Sequence, residues 1–497
     1  MTAAQAGGRR PLRFVVIGAG FAGVLSAIKL AEAGYDDIVV YEKAERLGGT
    51  WRENTYPGVA CDVPSQLYSY SFALNPEWTR VFSSGSEILA YLQDVAERFG
   101  AEERIRYGVE VTGLRWTEGR WEVETSAGTD AADVVIAATG VLHHPAMPDI
   151  AGLETFAGAA FHSARWDHSV SLEGARVGVV GTGSSAVQMV CALVDQVASL
   201  TMFQRTPQWI MPAPNPAVSE DQKARYRSDV STMQAERDQV YAQYTGFVGS
   251  GIIDAESPAA GWIHKLCVEN LENSVADPDL RERLRPEYRA ACKRLVLSPN
   301  FYEQISKPNA RLVAEPIEHV EARGVRTTDG ELHELDVLVL ATGFKVDRFL
   351  RPIGVTGRDG VDLDDVWASH PVAYLSVSVP DFPNLFMLNG PNGPVGNFPL
   401  IEVAEVQFAY VAQLIDLIAR GEGAEISPRR DVTDELEAKR VEATKKTIWA
   451  TGCRSWYLDP AGVPAAWPWS FDHFREVMSA PNLADFDVRA AGGVEAG

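Results

Sequence analysis

The chain has 497 residues, enough for about three domains of ordinary size, and 46% of them are hydrophobic, which is typical of a globular protein with sizeable buried cores. Its 45 Lys and Arg against 67 Asp and Glu give a net charge of −22. This acidic balance argues against nucleic acid or an anionic membrane as a general partner. Any anion that the protein binds must therefore meet basic residues placed locally.

Five cysteines are widely scattered and include no C-x-x-C pair: Cys61, Cys191, Cys267, Cys292 and Cys453. This pattern favours a reducing compartment and argues against a zinc site or a disulfide-reductase centre. The first ten residues lack the apolar stretch of a signal peptide, and no apolar run approaches the ~18 residues of a membrane span. The sequence therefore predicts a cytoplasmic protein without a metal site.

The first apolar stretch, residues 12 to 17, runs into a glycine-rich turn, and a helical pattern follows from residue 24. The turn supplies Gly18, Gly20 and Gly23. In a strand–turn–helix unit these glycines allow a tight turn, let the backbone approach a pyrophosphate, and let the helix pack on the strand. The next strand ends at Glu42, where an acid would accept a ribose hydroxyl. This unit is predicted to bind a dinucleotide with a free ribose.

A second copy of the pattern begins with the strand Arg176 to Val180 and continues into a similar turn. The turn contains Gly181, Gly183, Ser184, Ser185 and Ala186. Its ribose-reading position is Arg205, where the first copy has Glu42. Arginine can hold a 2′-phosphate with paired, charge-assisted donors, which an acid would repel. We therefore predict FAD at the first site and NADP(H) at the second; the alternative for Arg205 is an ordinary solvated arginine.

Two segments that echo each other, residues 133 to 140 and 336 to 343, have the pattern of buried strands ending at a glycine turn. Each is predicted to close one dinucleotide-binding sheet, the alternative being two unrelated core strands. Residues 219 to 244 and 277 to 294 are rich in charged and helix-favouring residues, which predicts a helical insertion. Amphipathic helices are predicted near Glu402 to Arg420 and Asp431 to Ala450.

The predicted fold class is α/β, with two Rossmann-like dinucleotide-binding domains, for FAD and NADP, and a helical insertion in the NADP domain. The predicted divisions are residues 12–145 (FAD domain, first part), 146–213 (linker and NADP domain, first part), 214–293 (helical insertion), 294–380 (NADP domain, second part) and 381–485 (FAD domain, C-terminal part).

Between the two glycine turns lies the pattern F-x-G-x-x-x-H-x-x-x-W-D, formed by Phe156, Gly158, His162, Trp166 and Asp167. With the two turns, it resembles the type I Baeyer–Villiger monooxygenases of the class B flavoprotein monooxygenases. Supporting motifs follow in the family's order: Gly48-Gly49-Thr50-Trp51, Tyr56-Pro57-Gly58 through Cys61-Asp62, Gln204-Arg205-Thr206-Pro207, Lys293-Arg294, Ala341-Thr342-Gly343-Phe344 and Ser455-Trp456-Tyr457. The resemblance spans nearly the whole chain.

The resemblance implies an oxygenation: NADPH reduces FAD, the reduced flavin combines with O2, and the flavin peroxide attacks a ketone to give an ester or lactone. It implies that Arg294 is the catalytic cation, because guanidinium stays charged and can donate to two oxygens, and that Asp62 pairs with it. The implied cofactor contacts are Gly49, Thr50, Trp51 and Asp62 for FAD, Thr206 and Lys293 beside Arg205 for the 2′-phosphate, and Trp456 for the nicotinamide.

His162 is expected to be structural, because in the family it belongs to the linker between domains. The sequence departs from many relatives at Leu295, where they carry proline, and at Arg52-Glu53-Asn54, where the best-known branch has aromatics. These departures leave the substrate branch open. Two alternatives also stay open: a flavin monooxygenase that oxygenates nitrogen or sulfur, and an NADPH-binding flavoprotein without oxygenation.

Overall fold

Two five-stranded parallel sheets form the centre of the molecule in a computed structural model that describes residues 10–396 and 398–490. The strands of the first sheet, in spatial order, are Leu385–Met387, Val134–Ala137, Phe14–Ile17, Ile38–Glu42 and Ile105–Tyr107. Those of the second are Ala310–Val313, Ser199–Phe203, Arg176–Val180, Val337–Leu340 and Ala159–His162. The predicted α/β class with two Rossmann-like domains is confirmed.

The central strands are short and apolar because both faces of a parallel sheet are covered. Phe14–Ile17, Val134–Ala137 and Val337–Leu340 are buried at every position. Val134–Ala137 pairs in parallel with Phe14–Ile17, and Val337–Leu340 pairs in parallel with Arg176–Val180. The two similar segments are each a strand of one sheet, as predicted, but they do not close the sheets, because Leu385–Met387 and Ala159–His162 lie outside them at the edges.

Helices cover the sheets, and the longest of them come close to their predicted bounds. Leu400–Arg420 ends where Gly421 takes a left-handed φ of 75°, and Arg430–Thr444 stops six residues before the predicted end. Gly85–Arg98 is capped by Ser84, which accepts a hydrogen bond from the Glu87 N–H. The other helices outside the insertion are Phe21–Glu32, Thr50–Glu53, Ser184–Leu193, Phe301–Ile305, Leu363–Val366 and Phe471–Val477.

The predicted insertion is helical over most of its length. It contains the α-helices Glu220–Ser228, Val230–Tyr244, Ser250–Ile253, Pro258–Ser274 and Pro278–Arg283, with a π-helix at Thr245–Gly249. The expected helix over 277–294 ends early, because Pro286 disfavours helical backbone at the residue before it. Turns then lead to the strand Val296–Ser298, which pairs with Ile210–Pro212.

Besides the pair Ile210–Pro212 and Val296–Ser298, three further small sheets of the described residues were not predicted. One is mixed, with strands Gly354–Thr356, Val111–Thr117, Arg120–Thr125 and Gly128–Ala132. The other two are antiparallel, with strands Ile317–Glu321, Gly324–Thr327 and Leu332–Glu334, and with Glu425–Pro428 beside Phe486–Arg489.

The motif segment 156–167 is more than a linker. Its residues Ala159–His162 form an edge strand of the second sheet, in parallel register with Val337–Leu340. The expectation of a joint between domains is therefore corrected in part, since a third of the motif segment belongs to the second sheet itself.

No helix within residues 10–396 and 398–490 is long and apolar enough to cross a bilayer.

Candidate active site

Both glycine turns open onto one cavity of about 1270 Å³ at the carboxyl ends of the parallel strands, where α/β sheets ordinarily bind ligands. Sixteen of the predicted residues line it: Gly18, Gly20, Glu42, Gly49, Thr50, Trp51, Asp62, Gly181, Gly183, Ser184, Ser185, Arg205, Thr206, Lys293, Arg294 and Trp456. Gly23 is not among the lining residues. The sequence motifs, which are up to 438 residues apart, therefore meet at one site.

The first turn fits a pyrophosphate closely. Gly18 has φ +99°, and a Cβ there would lie 2.7 Å from the carbonyl oxygen of Ala138. A Cβ on Gly23 would lie 1.8 Å from the carbonyl oxygen of Gly18, so the helix packs against the turn at a distance that only glycine permits. The helix Phe21–Glu32 begins at this turn, and its first N–H groups suit a bound phosphate.

Glu42 does more than the sequence predicted. One carboxylate oxygen accepts the Ala19 N–H at 2.9 Å, and the other accepts the Ala44 N–H at 2.9 Å. Arg52 Nη1 lies 3.0 Å from the second oxygen. Glu42 is only 5% exposed. Its hydrogen bond from the Ala19 N–H fixes the backbone of the first turn, and the residue also lines the cavity.

The second turn repeats the geometry of the first, with a closer fit at its first glycine and more open space at its second. Gly181 has φ +127°, and a Cβ there would lie 2.3 Å from the carbonyl oxygen of Ala341. No heavy atom lies within 4 Å of a Cβ built on Gly183, which leaves room for a ligand to approach the backbone. The helix Ser184–Leu193 begins directly after it, with buried Ala186 in the third position.

Two cations, Arg205 and Lys293, line the cavity beside the second turn. Arg205 is exposed and forms no ion pair with any residue of the described ranges. Burial lowers the pKa of Lys293, and the nearby charge of Arg205 lowers it further. The Thr182 hydroxyl donates to the Thr206 carbonyl at 2.8 Å and fixes this loop. Two like charges held together in this way suit a multiply charged anion such as a phosphate.

The segment 56–62 of the first unit docks on the helix Ser184–Leu193 of the second. The Tyr56 hydroxyl donates to Gln188 Oε1 at 2.8 Å and accepts from Ser185 Oγ at 3.0 Å. Gln188 Nε2 donates to the carbonyl of Ala60 at 3.0 Å. These contacts bring Asp62, at the end of the segment, to the junction of the two units.

At this junction Asp62 and Arg294 form the predicted pair. Asp62 Oδ2 accepts from Arg294 Nε at 3.0 Å and from Nη2 at 2.6 Å. Burial acts to lower the pKa of Arg294, but the charge and hydrogen bonds of Asp62, together with Tyr457 and Tyr244, outweigh it and hold that pKa well above its ordinary value. The side chain of Arg294 retains 33% of its exposure, and the residue lines the cavity, so the charge is both permanent and accessible to a ligand.

Three tyrosines lie around this pair, and the sequence analysis assigned a role to none of them, although Tyr457 belongs to the motif Ser455-Trp456-Tyr457. Tyr457 Oη lies 3.5 Å from Arg294 Nη1, and burial raises the pKa of Tyr457. Tyr244, at the end of an insertion helix, also has a pKa raised by burial and then by the charge of Asp62. Tyr68 accepts a hydrogen bond from Trp51 Nε1 at 3.1 Å. All three hydroxyls are therefore kept neutral near the pair.

Asn389 is a further cavity residue that no motif indicated. Its backbone has φ 56°, and its N–H donates to Gln407 Oε1 at 2.6 Å. Its side-chain Oδ1 is buried without a hydrogen-bond partner within the described part of the chain. A buried acceptor beside a cavity is costly unless a ligand satisfies it, and this supports a cofactor with hydrogen-bond donors at this wall.

His162 is held by the backbone. Its Nδ1 accepts the Ala164 N–H at 3.1 Å, so its Nε2 donates to the Gly343 carbonyl at 3.1 Å, as expected of a neutral ring. Burial lowers the pKa of His162, which favours that neutral form. His162 is not among the residues that line the cavity, in agreement with the structural role expected for it.

The cysteines depart from the sequence expectation. Their scatter favoured a reducing compartment, yet Cys292 and Cys453 form a disulfide, whereas Cys61, Cys191 and Cys267 are free. Within residues 10–396 and 398–490 no cluster of His, Cys, Asp and Glu is arranged to hold a metal ion.

Comparisons with known proteins agree with this site. Residues 15–245 match the family described as pyridine nucleotide-disulphide oxidoreductase. The chain is 45% identical to an uncharacterized monooxygenase of Mycobacterium tuberculosis, over 97% of each chain. It is 40% identical to a Baeyer–Villiger monooxygenase of Streptomyces coelicolor, over 96% of this chain and 92% of the relative.

Among solved structures, cyclohexanone monooxygenase from Rhodococcus sp. Phi1 bound to NADP+ is 31% identical, with a TM-score of 0.86 over 97% of this chain and 99% of that one. The similarity covers both dinucleotide units and the insertion. The predicted flavoenzyme using FAD and NADPH is thereby confirmed, and the chain belongs to the Baeyer–Villiger monooxygenase family.

Proposed function

We propose that this protein uses NADPH and O2 to insert an oxygen atom beside the carbonyl of a small-molecule ketone, giving an ester or lactone, with Arg294 as the catalytic cation and Asp62 as the residue that orients it. The observation that carries the proposal is the Arg294–Asp62 pair on the cavity wall, where the two dinucleotide units meet.

The pair suits a reaction in which negative charge develops on oxygen. A preorganised cation in a partly enclosed site stabilises such charge more strongly than one in water. Asp62 uses one carboxylate oxygen to fix both Nε and Nη2, which leaves Nη1 of Arg294 turned to Tyr457 at 3.5 Å. Asp62 also offsets the cost of burying the guanidinium. Removing either partner would leave an unpaired charge.

The other lining residues divide between the two cofactors. FAD, when bound, supplies the oxygen chemistry, and NADPH supplies the hydride. Gly18, Gly20 and Glu42 hold the FAD dinucleotide, with Gly23 packing the helix behind, while Gly49, Thr50, Trp51 and Asp62 form its second wall. Gly181, Gly183, Ser184 and Ser185 hold the NADPH pyrophosphate, Arg205, Thr206 and Lys293 its 2′-phosphate, and Trp456 its nicotinamide.

The domain division proposed for this activity remains 12–145 and 381–485 for the FAD unit, 146–213 and 294–380 for the NADP unit, and 214–293 for the insertion. The insertion contributes Tyr244 to the surroundings of the catalytic pair, which supports a part for it in enclosing the ketone. Tyr68, Tyr244 and Tyr457, with their neutral hydroxyls, would limit water beside the cation. We place the enzyme in the cytoplasm, where NADPH is maintained.

The experiment is to compare Arg294→Ala and Arg294→Lys with the unmodified holoenzyme on a panel of ketones and thioethers. In Arg294→Ala we expect NADPH to reduce the flavin still, while ester formation falls by about 10²-fold or more, the loss typical of a removed charge-stabilising donor. Arg294→Lys keeps the positive charge but lacks the paired donors of the planar guanidinium, so it should recover little activity. Arg311→Ala, which removes an exposed arginine paired with Glu331, is the matched control. Undiminished ester formation in Arg294→Ala, or sulfoxidation without any ester in the parent enzyme, would contradict the proposal.

A further inference from the structure

The disulfide between Cys292 and Cys453 joins two parts of the chain that are 161 residues apart, with the two Cα atoms separated by 6.1 Å. Neither residue is near the surface: Cys292 is 0% exposed and Cys453 is 6% exposed. The three other cysteines, which are free, are distributed over both units. The bond is therefore a particular feature of these two segments.

Each of the bonded cysteines directly precedes cavity residues. Lys293 and Arg294 follow Cys292, and a short run ending at Trp456 follows Cys453. Lys293, Arg294, Arg454, Ser455 and Trp456 all line the cavity. The bond thus lies one residue from the lysine assigned to the 2′-phosphate and two residues from the catalytic guanidinium.

Apart from the bond, the two segments are joined by apolar packing, because Cys292, Trp449, Cys453 and Tyr457 belong to one buried cluster. The backbone hydrogen bonds of residues 450 to 458 in the described structure are made to residues close by in the same segment, as from Thr451 N–H to Ile448 and from Leu458 N–H to Ser455. The polar contacts between the segments are long: Tyr457 Oη lies 3.5 Å from Arg294 Nη1, and Cys292 Sγ lies 4.0 Å from the Trp449 carbonyl oxygen. Thr451, Gly452 and Arg454 are exposed. The disulfide is the covalent connection between the segments.

We propose that Cys292 and Cys453 form a redox-modification site, closed by hydroperoxides and opened by thiol reductants, that sets how firmly the Trp456 segment is held against Lys293 and Arg294. The proposal rests on the function proposed above for those residues. In the disulfide form the segment is pinned and NADPH is bound productively. In the dithiol form the segment is released and NADPH is bound more weakly.

The chemistry balances with a hydroperoxide as oxidant. The sulfur of one cysteine, as thiolate, attacks the terminal oxygen and breaks the O–O bond, giving a sulfenic acid and releasing an alcohol, or water from hydrogen peroxide. The second sulfur attacks the first, the S–S bond forms, and the hydroxyl leaves as water with the second thiol's proton. Two electrons pass from the two sulfurs to the peroxide. A dithiol reductant reverses this through a mixed disulfide and is itself oxidised to a disulfide.

Access for these reagents comes from the side of Cys453. Its two preceding residues are exposed, and Gly452 has a left-handed φ of +100°. The exposed residues on both sides of Cys453 favour local opening there, which lets a small reductant reach a sulfur that is otherwise covered. Cys292 lies deeper and would react second.

The test uses the full-length holoenzyme, prepared once with hydrogen peroxide and once with dithiothreitol. Peptide mass analysis without reduction should find the peptides of Cys292 and Cys453 joined in the first preparation and separate in the second. The reduced enzyme should show a KM for NADPH raised by about tenfold and less ester formed per NADPH consumed, because small misplacements of site groups have effects of this order or larger. Adding hydrogen peroxide should restore both values.

Variants separate positioning from general stability. Cys453→Ala should behave as the reduced enzyme and no longer respond to dithiothreitol. Cys191→Ala, on the helix Ser184–Leu193 and outside the cavity, should respond as the parent does. Absence of the joined peptide, or equal KM and coupling in the two preparations, would overturn the proposal. Flavin reduction by NADPH is measured separately from ester yield. If the enzyme forms no ester from a ketone, the effect of the disulfide on NADPH binding can therefore still be measured.

Discussion

The two dinucleotide units are built alike, and their differences lie at two positions. In both, the first glycine of the turn lies close to the carbonyl of the residue that follows a neighbouring strand of the sheet. This residue is Ala138 in one unit and Ala341 in the other. At the third position, Gly23 lies so close to the Gly18 carbonyl that no Cβ would fit, whereas the second unit has the Cβ of buried Ala186 there. At the end of the second strand, Glu42 is buried and bonded, whereas Arg205 is exposed and unpaired among the described residues.

The comparison separates scaffold from selectivity. The tight turn and the strand beside it are common to both units. They therefore fit the group that both ligands share, which is a pyrophosphate. The residue after the next strand differs in charge, and it serves what the ligands do not share, a free ribose or a 2′-phosphate. Three changes would test this division.

The largest effect is expected at the third position of the first turn. Gly23→Ala puts a methyl group 1.8 Å from the Gly18 carbonyl, and a backbone atom cannot swing aside as a side chain can. We expect loss of bound FAD and a fall of about 3 kcal/mol in the free energy of unfolding, at the upper end of overpacking effects. Flavin content and urea denaturation would measure both. Ala186→Gly in the second turn should cost only about 1 kcal/mol and retain FAD; equal losses in the two variants would break the comparison.

The next effect concerns cofactor choice. Arg205→Ala should reduce the ratio of kcat/KM for NADPH to that for NADH by about 10-fold to 100-fold, since a charge-assisted contact to the 2′-phosphate is lost. Flavin content should stay unchanged, because the first unit is untouched. An unaltered ratio would assign the reading of the phosphate to another residue, with Lys293 the first to examine.

The smallest effect is a dependence on pH. Burial and Arg205 lower the pKa of Lys293, so this residue loses its charge at a lower pH than an ordinary lysine, below its usual value of 10.5. Its attraction for the 2′-phosphate is present at neutral pH and lost as the pH rises. The kcat/KM for NADPH should therefore fall about threefold relative to that for NADH towards alkaline pH, as expected for one partly solvated charge pair. Lys293→Arg should flatten this profile, and a profile that is already flat in the parent would contradict the assignment.

Much of the fold could be predicted because its signals are local. The strands at Arg176–Val180 and Val337–Leu340, the glycine turns after them, and the helix Leu400–Arg420 follow from short runs of sequence with a clear period. The lining of the cavity by Arg294, Asp62 and Trp456 was reached only through the family motif, since no local pattern relates residues so distant.

What could not be predicted depends on contacts between remote segments. Tyr68, Tyr244 and Tyr457 come from three different parts of the chain. Tyr457 belongs to the motif Ser455-Trp456-Tyr457, but no local pattern places any of the three hydroxyls beside Arg294. The Cys292–Cys453 bond joins residues that lie in no recognisable pair. The end of the helix near Pro286, by contrast, was predictable, because the effect of proline on the preceding residue is local.

The docking of the segment 56–62 on the helix Ser184–Leu193 bears on how such enzymes can be recombined. Tyr56 and Asp62 belong to the first dinucleotide unit, and their partners Gln188 and Arg294 lie in the second. A hybrid that takes its two dinucleotide units from different relatives could preserve each unit intact and still lose activity at this seam. Exchanges that transfer the segment 56–62 together with the helix Ser184–Leu193 and Arg294 would keep all the contacts of this junction from one parent.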